Sequence, residues 1–440
     1  MPPRRPFIVI SVVLLALALG ACSGTVGTGS GPQRLEIVQS TGAPASSIVA
    51  YQCLRSSLAA VLHFSDGSAG NFTNRVVWSS SDPGTMRIAN SNEEPIPGTF
   101  DKFYAPGTLT PVATGSAVIT AEYQGLTAQV QVSVHPLAAL TIKQIVQGNA
   151  VVPANGAFTL GVGTRQALQL TALLDNVETD ITKLATWSFE VPNDGEASVD
   201  TTTATVTANG AGGPMQLNAG FDACPDPRFR ASVQLSVADI RGISIQPEFA
   251  GNPPLIVGNS EKFNVLADLG NGLTQDLSDQ PGTQLSSSEP TLLQFGASGQ
   301  GNIAYALNPG GPIEIFASFT GNGIRYDATS LVASTISATL DTIRVSPTSA
   351  EVTAGSLTPV QFRAYGSYNS GGLTQEITRQ VTWSSSDSST ATISNSAQTA
   401  GQALGLAATS HGDRVVTITA NDNNAIIDGT DQALLTVHEP

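Results

Sequence analysis

The chain has 440 residues, of which only 12% are charged, and its formal net charge is −15. Such an acidic surface repels phosphate backbones, which argues against nucleic acid as a partner. The 43 glycines and 26 prolines, with many Thr, Ser and Val residues, favour an all-β protein rich in turns over one with long helices. The length that follows the N-terminal region predicts two to four domains.

Residues 1–21 have the pattern of a secretory signal peptide, because two arginines precede an apolar run over residues 7–20. The run is shorter than the ~20 residues that a membrane span needs. Its ending, Leu-Gly-Ala before Cys22, resembles a bacterial lipobox. The resemblance implies that Cys22 is lipidated and anchors the protein to a membrane of the cell envelope. By the same resemblance, Ser23 implies the outer membrane in a host that has one. The alternative is an ordinary signal peptide with an incidental cysteine.

Residues 22–33 then form the lipidated cysteine and a Gly/Ser/Thr tether that is expected to be flexible. A tryptophan motif recurs beyond this tether. VVWSSSDPGTMRIA surrounds Trp78 and VTWSSSDSSTATIS surrounds Trp383. Trp187 and, in a degenerate copy, Leu285 occupy the matching places between them. The four positions are spaced by about 100 residues, the size of an immunoglobulin-like sandwich.

Runs of alternating hydrophobicity follow each copy, such as SAVITAEY and AQVQVSV after Trp78 and RVVTITAN and ALLTV after Trp383. Strict alternation indicates strands with one buried and one exposed face, as in packed antiparallel sheets. The predicted fold is therefore all-β, with four tandem immunoglobulin-like β-sandwiches in an elongated array. The predicted modules cover residues 34–136, 137–239, 240–340 (degenerate) and 341–440.

The order of motifs within a repeat resembles the bacterial immunoglobulin-like domain family, group 2. The resemblance rests on a Gly turn, an apolar β run, W-S-S-S-D, a second Gly turn, T-I-T-A and a closing V-x-V. Repeats one and four match well, repeat two moderately, and repeat three weakly because its tryptophan is absent. The resemblance implies tandem modules on bacterial surface or secreted proteins, and it implies no catalytic residue.

Trp78, Trp187, Leu285 and Trp383 are predicted to lie in the cores of their sandwiches. The tryptophans stand inside apolar, alternating runs, and a side chain of this size buries about 150–250 Å². The alternative is a set of exposed aromatic platforms for sugars.

The sequence offers little that could carry catalysis. No histidine lies near another histidine or a cysteine at a metal-binding spacing, and HExxH is absent. The serine runs contain no G-x-S-x-G, and no Gly-rich turn precedes a helix-forming segment. We therefore expect a protein that is not an enzyme and needs no cofactor.

One acidic loop near the C-terminus is a weak candidate for calcium, a cation that prefers oxygen ligands. The stretch TANDNNAIIDGTDQA matches no EF-hand spacing, and the alternative is a hairpin tip rich in Asn and Asp, which tolerate turn conformations. The candidate ligands are Asn421, Asp422, Asn423, Asp428 and Asp431.

Two cysteines remain after Cys22, and they fall in different modules. Cys53 precedes the second strand of module one, and Cys224 lies in the last hairpin of module two. In an immunoglobulin-like sandwich the first position lies at the end where the chain leaves, and the second at the end where it enters. End-to-end joining would bring them together, so we predict a Cys53–Cys224 disulfide in an oxidising compartment. The alternative is two unpaired or intermolecular cysteines.

Two functions fit these observations. The first is a lipid-anchored rod or spacer for adhesion or assembly at the cell surface, with an unknown protein or glycan partner. The second is a glycan-binding protein or an accessory subunit of an envelope complex, for which exposed loop aromatics would be evidence. The candidate aromatics are few: Phe103, Tyr104, Tyr365 and Tyr368.

Overall fold

The computed structural model describes residues 31–39, 42–90, 95–96, 103–146, 149–151, 153–190, 195–221, 224, 226–248, 254–296, 301–369, 372–406, 412–422 and 430–439. These residues form four tandem β-sandwiches, as the alternating runs predict, and each packs mainly antiparallel sheets around a core. No helix within these ranges is long and apolar enough to cross a membrane.

Sandwich 1 shows the arrangement that the others repeat. Its strands are β1 (Pro32–Gln39), β2 (Ser47–Tyr51), β3 (Ser56–Phe64), β4 (Ala69–Asn71), β5 (Val77–Ser80), β6 (Met86–Ile88), β7 (Thr108–Pro111), β8 (Gly115–Tyr123) and β9 (Leu126–His135). One sheet has the order β1-β3-β7-β6 with β4 beside β3, and the other has the order β2-β9-β8-β5. β2 runs parallel to β9. Along β8, Ala117, Ile119 and Ala121 are buried in alternation, so this strand presents one face to the core.

Sandwich 2 repeats this order and adds one edge strand, β11, to its first sheet. Its strands are β10 (Ala138–Val146), β11 (Asn149–Val151), β12 (Ala157–Gly161), β13 (Arg165–Leu174), β14 (Val177–Asp180), β15 (Thr186–Phe189), β16 (Ala197–Asp200), β17 (Thr205–Ala208), β18 (Gly212–Gly220) and β19 (Ala231–Ala238). Its sheets are β11-β10-β13-β17-β16, with β14 beside β13, and β12-β19-β18-β15. Short 3₁₀ helices cover Ala154–Gly156, Thr182–Leu184 and Pro227–Phe229.

Sandwich 3 has an extra strand in its second sheet. Its strands are β20 (Gly242–Pro247), β21 (Leu255–Ile256), β22 (Ser260–Gly270), β23 (Leu273–Asp276), β24 (Thr283–Ser287), β25 (Leu293–Phe295), β26 (Ile303–Ala306), β27 (Gly310–Gly321), β28 (Ile324–Asp327) and β29 (Leu331–Ile336). The sheets are β20-β22-β26-β25, with β23 beside β22, and β21-β29-β27-β24, with β28 beside β27.

Sandwich 4 divides its first sheet in two. Its strands are β30 (Leu340–Ser346), β31 (Ser349–Thr353), β32 (Val360–Gln361), β33 (Arg363–Tyr368), β34 (Leu373–Glu376), β35 (Thr382–Ser385), β36 (Ala391–Ile393), β37 (Gln402–Gly405), β38 (Arg414–Asn421) and β39 (Thr430–His438). The three sheets are β30-β33-β34, β32-β37-β36 and β31-β39-β38-β35.

The three tryptophans lie in the cores of sandwiches 1, 2 and 4. Trp78, Trp187 and Trp383 are 2%, 3% and 3% exposed. Each indole N–H donates to the backbone carbonyl of the residue five positions earlier, which is Thr73, Thr182 or Thr378, at 3.1, 3.4 and 2.9 Å respectively. Burying an indole requires such an acceptor, so the motif fixes both the core and the segment that enters the strand.

In sandwich 3 the corresponding residue, Leu285 on β24, is half-buried and packs against the edge of the core. Aromatic area comes from other positions, because Phe263 and Phe319 are 0% and 1% exposed. Phe319 pairs across the sheet with Thr283, two residues before Leu285. The degenerate repeat therefore keeps an aromatic core with its rings in different places.

The aspartate of W-S-S-S-D closes the turn that follows the tryptophan strand. The Asp387 carboxylate accepts hydrogen bonds from the Ser389 backbone N–H (2.9 Å), the Ser389 hydroxyl (2.6 Å) and the Thr390 hydroxyl (2.7 Å). The hydrogen bond from the Ser389 hydroxyl is the largest cause, and the bond from the Thr390 hydroxyl the second largest, that lowers the pKa of Asp387 to about 2. Asp82 accepts from Gly84 N–H (3.0 Å) and the Thr85 hydroxyl (2.7 Å) in the same way. The polar part of the motif is thus a turn signal.

Candidate functional site

One repeated turn takes part in polar contacts at every joint between sandwiches. It links β2 to β3, β12 to β13, β21 to β22, and β31 to the strand after it. Each is closed by one backbone hydrogen bond of 2.9–3.1 Å, as between Leu54 N–H and the Tyr51 carbonyl at 3.0 Å. We call these segments joint turns; they cover residues 51–55, 161–165, 256–260 and 353–357.

The third residue of every joint turn has a positive φ. Three of the four are glycines, Gly163 (φ 84°), Gly258 (φ 94°) and Gly355 (φ 76°), as a turn of this kind favours. The fourth is Cys53, with φ 68°. A side chain in this left-handed region costs about 1 kcal/mol or more relative to glycine. Sandwich 1 thus carries a strained cysteine where the other joint turns carry glycine.

At joint 1, between sandwiches 1 and 2, the Cys53 and Cys224 sulfurs are bonded, with Cα atoms 5.4 Å apart. The Tyr51 hydroxyl donates to Asp175 Oδ2 (2.9 Å), and His135 Nδ1 lies 2.7 Å from Asp175 Oδ1. Tyr51, Cys53 and Leu54 are all buried within the core cluster of sandwich 2. Burial is the largest cause, and the hydrogen bond to Asp175 the second largest, that raises the pKa of Tyr51 to about 12. Sandwich 1 therefore contributes these three residues to the core of sandwich 2.

At joint 2, between sandwiches 2 and 3, two glutamines bind the backbone of the joint turn. Gln275 Oε1 accepts the Gly161 N–H at 2.6 Å, and its amide nitrogen lies 3.2 Å from the Thr164 hydroxyl. Gln280 accepts the Arg165 N–H at 2.8 Å and donates to the Arg165 carbonyl at 2.7 Å. A side chain at Gly163 would place its Cβ 2.6 Å from Gly321 Cα, so glycine is needed here for close approach as well as for φ.

At joint 3, between sandwiches 3 and 4, the same arrangement recurs. Gln375 Oε1 accepts the Ile256 N–H (3.1 Å) and the Asn259 side-chain N–H (2.9 Å). In the orientation that satisfies both ends of the Gln380 amide, its oxygen accepts from Ser260, and its nitrogen donates to the Ile377 carbonyl at 3.1 Å.

Two further contacts close joint 3. Asn259 also donates to the Tyr368 hydroxyl at 2.8 Å. Arg379 Nη2 lies 2.5 Å from Glu248 Oε2, and the two side chains are only 12% and 19% exposed. Ile256 belongs to the core cluster of sandwich 4. The partly desolvated ion pair between Arg379 and Glu248 fixes the geometry of the joint more than it adds stability.

The fourth joint turn contacts sandwich 2. The Leu357 N–H lies 3.4 Å from Glu178 Oε2 on β14, so the tandem array curves and the far end of sandwich 4 returns to the side of sandwich 2. Lys143 Nζ lies 2.5 Å from Glu178 Oε1. Burial opposes ionisation of Glu178, but hydrogen bonds from Lys143 and Thr171 outweigh it and lower the pKa. Glu178 is therefore an ionised acceptor at this contact.

Most other residues singled out by sequence have structural roles or lie outside the described part of the chain. Cys22 lies outside it, as do the calcium candidates Asn423 and Asp428. Asp431 Oδ2 accepts the Val345 N–H at 2.7 Å, so this carboxylate already holds two strands together. Within the described ranges, no group of three or more His, Cys, Asp or Glu residues is arranged to hold a metal. Asn421 is exposed at the end of β38, and Asp422, just after it, is half-buried.

The aromatic candidates for glycan binding are dispersed. Tyr368 is 4% exposed and belongs to joint 3, so it offers no platform for a sugar. The Arg55 guanidinium covers the Tyr104 ring at 3.9 Å from its centroid. Phe103 remains 39% exposed, and Tyr365 is half-buried on β33. The structure does not bring these four rings together into one site.

The joint glutamines were not among the residues singled out by sequence. Their signal is nevertheless present, since LTQDLSDQ ends at Gln280 and LTQEITRQ ends at Gln380. The two stretches share Leu-Thr-Gln, an acid, an aliphatic residue, a hydroxyl residue and a final glutamine.

No family model matches the chain. The sequence is similar to Ice-binding protein 1 of Shewanella frigidimarina, with 25% identity over 349 residues, which is 77% of this chain and 33% of that protein. The chain thus spans about a third of the length of the curated relative that it matches.

Solved structures similar to the chain include domains 4–9 of the surface layer protein SbsC, with 13% identity, 92% of this chain and 66% of that chain covered, and a TM-score of 0.22. The N-terminal eight Ig domains of Down Syndrome Cell Adhesion Molecule (DSCAM) are 11% identical, with 93% and 56% covered and a TM-score of 0.21. The strand order described above, rather than these scores, defines the immunoglobulin-like sandwich array.

Proposed function

We propose that the protein is a non-enzymatic spacer of the bacterial cell surface, anchored by lipid on Cys22, whose tandem sandwiches hold an attached or neighbouring element at a set position. The observation that carries the proposal is the closure of all three joints by buried or directional contacts. Domains in tandem move relative to one another by default unless their interface is substantial. Closed joints of this kind suit a chain that holds other elements at a fixed position.

The lipobox resemblance and the group 2 immunoglobulin-like resemblance support the envelope location. The test of the anchor is fractionation of cells that express the wild type and Cys22→Ala. The wild type is expected in the membrane fraction with palmitate label, and the variant in the soluble fraction. A variant that stays in the membrane fraction, with an unlabelled wild type, would contradict the anchor.

The name of the relative adds ice as a candidate ligand. A spacer and an ice-binding protein differ in their expected effect on the freezing of water. The mature chain is expected to show no thermal hysteresis, because its role is to position other elements. Measured hysteresis that rises with concentration of this chain alone would assign the ice-binding function to the sandwiches themselves.

Glycan binding is the second candidate, and one groove favours it. A groove of about 380 Å³ on sandwich 3 is lined by residues that include Gln284, Ser286, Phe316, Arg325 and Asp327. The Phe316 ring is 41% exposed, and an aromatic face beside polar groups suits a sugar ring. A glycan array with the wild type and Phe316→Ala tests it, with Val415→Ala on sandwich 4 as the exposed apolar control.

A further inference from the structure

All four sandwiches share a short hydrogen-bonded frame that holds the segment before the strand of the repeated position, which carries tryptophan in three sandwiches and Leu285 in sandwich 3. In sandwich 4 the Ala364 N–H donates to the Thr378 hydroxyl (2.9 Å), which donates to Glu376 (2.6 Å). Ile377 between these residues is 1% exposed. Burial, opposed by the bond from Thr378, raises the pKa of Glu376. In sandwich 3 the Val265 N–H donates to the Ser278 hydroxyl at 2.9 Å in the same way.

The frame is present in the other two sandwiches without glutamines around it. The Leu170 N–H donates to the Thr182 hydroxyl (2.8 Å), and the Ala60 N–H donates to the Thr73 hydroxyl (3.0 Å). The positions that correspond to the first and second glutamine are Thr179 and Leu184 in sandwich 2, and Gly70 and Arg75 in sandwich 1. The frame belongs to the fold, and the glutamine pair is an addition to it.

The glutamine pair occurs in the two sandwiches whose joint has no disulfide. Sandwich 2 lacks the pair, and it joins sandwich 1 through Cys53 and Cys224. Sandwiches 3 and 4 carry the pair, and each binds the same two positions of the preceding joint turn. The first glutamine accepts the N–H of Gly161 or Ile256, and the second contacts Arg165 or Ser260.

We propose that the pair Gln-x-x-x-x-Gln is a docking element whose partner is the joint turn of the preceding sandwich, and that it fixes the angle between consecutive sandwiches. The inference rests on the proposed spacer function and names the residues that make the spacer rigid. Amide side chains suit this role because each can accept and donate to backbone groups without carrying a charge into the joint. The contact of Glu178 with Leu357 supports the proposal, because Leu357 occupies the position of Arg165 and Ser260 and also faces a side-chain oxygen.

The test is the distance distribution between spin labels on sandwiches 3 and 4 of the full chain. Labels at Val332→Cys and Val415→Cys sit on exposed strand positions, 53% and 61% exposed. Cys22→Ser removes the remaining thiol, since Cys53 and Cys224 are bonded. The variant is Gln375→Ala/Gln380→Ala, and the matched control is Gln294→Ala, an exposed glutamine on β25 of sandwich 3.

The parent chain and the control are expected to give one narrow distance distribution, and the double variant is expected to give a broader one. Unchanged near-ultraviolet circular dichroism shows that the sandwiches remain folded, and Gln375→Ala alone provides a milder variant if they do not. A narrow distribution in the folded double variant would overturn the docking role of the pair while leaving the spacer function intact. A broad distribution in the parent chain would overturn the rigid spacer itself.

Discussion

Cys53 occupies the left-handed turn position that is glycine in the other three joint turns, and its sulfur is bonded to that of Cys224 in the next sandwich. This backbone conformation is costly for any residue other than glycine. The bond that Cys53 forms across joint 1 explains why a cysteine stands there. The sequence predicted this pair from the ends of the two modules, but it gave no sign of the unusual backbone conformation.

In a background with Cys224→Ala, which removes the bond, Cys53→Gly is expected to be more stable than Cys53→Ala by about 1 kcal/mol, because glycine adopts a positive φ without strain. Denaturant unfolding of sandwiches 1 and 2, followed by Trp78 and Trp187 fluorescence, measures the difference. A Cys53→Ala chain as stable as Cys53→Gly would show that the turn is not in this conformation.

The Tyr51 hydroxyl is expected to titrate near the pKa of about 12 that its burial and its bond to Asp175 give it. Because the folded pKa lies above the ordinary value of 10.0, the stabilisation from the neutral hydroxyl is complete below pH 10 and is lost as the pH rises through 12. Absorbance at tyrosinate wavelengths, compared between the wild type and Tyr51→Phe, isolates this group. An ordinary tyrosine pKa in the difference titration would mean that joint 1 is open in solution.

The Asp387 carboxylate is expected to remain ionised down to a pKa of about 2. Since this lies below the ordinary value of 3.8, its contribution to stability is present above pH 4 and is lost as the pH falls toward 2. Carboxyl chemical shifts of the isotope-labelled chain, followed as the pH is lowered, give the pKa of Asp387 directly. Asp387→Asn should flatten the acid limb of the stability profile, and an Asp387 that titrates normally would refute the turn-closing role of the motif.

Truncation of the core residue at the repeated position should have unequal effects. Trp383→Ala removes a buried indole and its hydrogen bond to Thr378, with an expected cost of about 3–5 kcal/mol to sandwich 4. Leu285→Ala should cost sandwich 3 less, on the order of 2 kcal/mol, because Leu285 is only half-buried and Phe319 supplies the core. Calorimetry of the two variants measures the loss of stability in each sandwich. Equal losses would contradict the different placement of the aromatic rings.

Sequence reasoning reached the sandwich fold because alternation and the buried tryptophans are local properties of each repeat. It did not reach joints 2 and 3, since Gln275 and Gln375 look like ordinary polar strand residues until the preceding sandwich is placed against them. Tyr368 was misread for the same reason. Its stretch, AYGSYNSGG, looks like an exposed loop, yet Tyr368 ends β33 and is covered by Asn259 of the neighbouring sandwich.

Small-angle X-ray scattering of the mature chain under oxidising conditions tests the rigid array most directly. A rigid array is expected to give a curve that a single curved arrangement of four sandwiches reproduces over the whole measured range, with the contact between Leu357 and Glu178 retained. The radius of gyration is expected to rise in the variant Gln275→Ala/Gln280→Ala/Gln375→Ala/Gln380→Ala. A wild-type curve that only an ensemble of independently moving sandwiches can fit would show that the joints are not rigid.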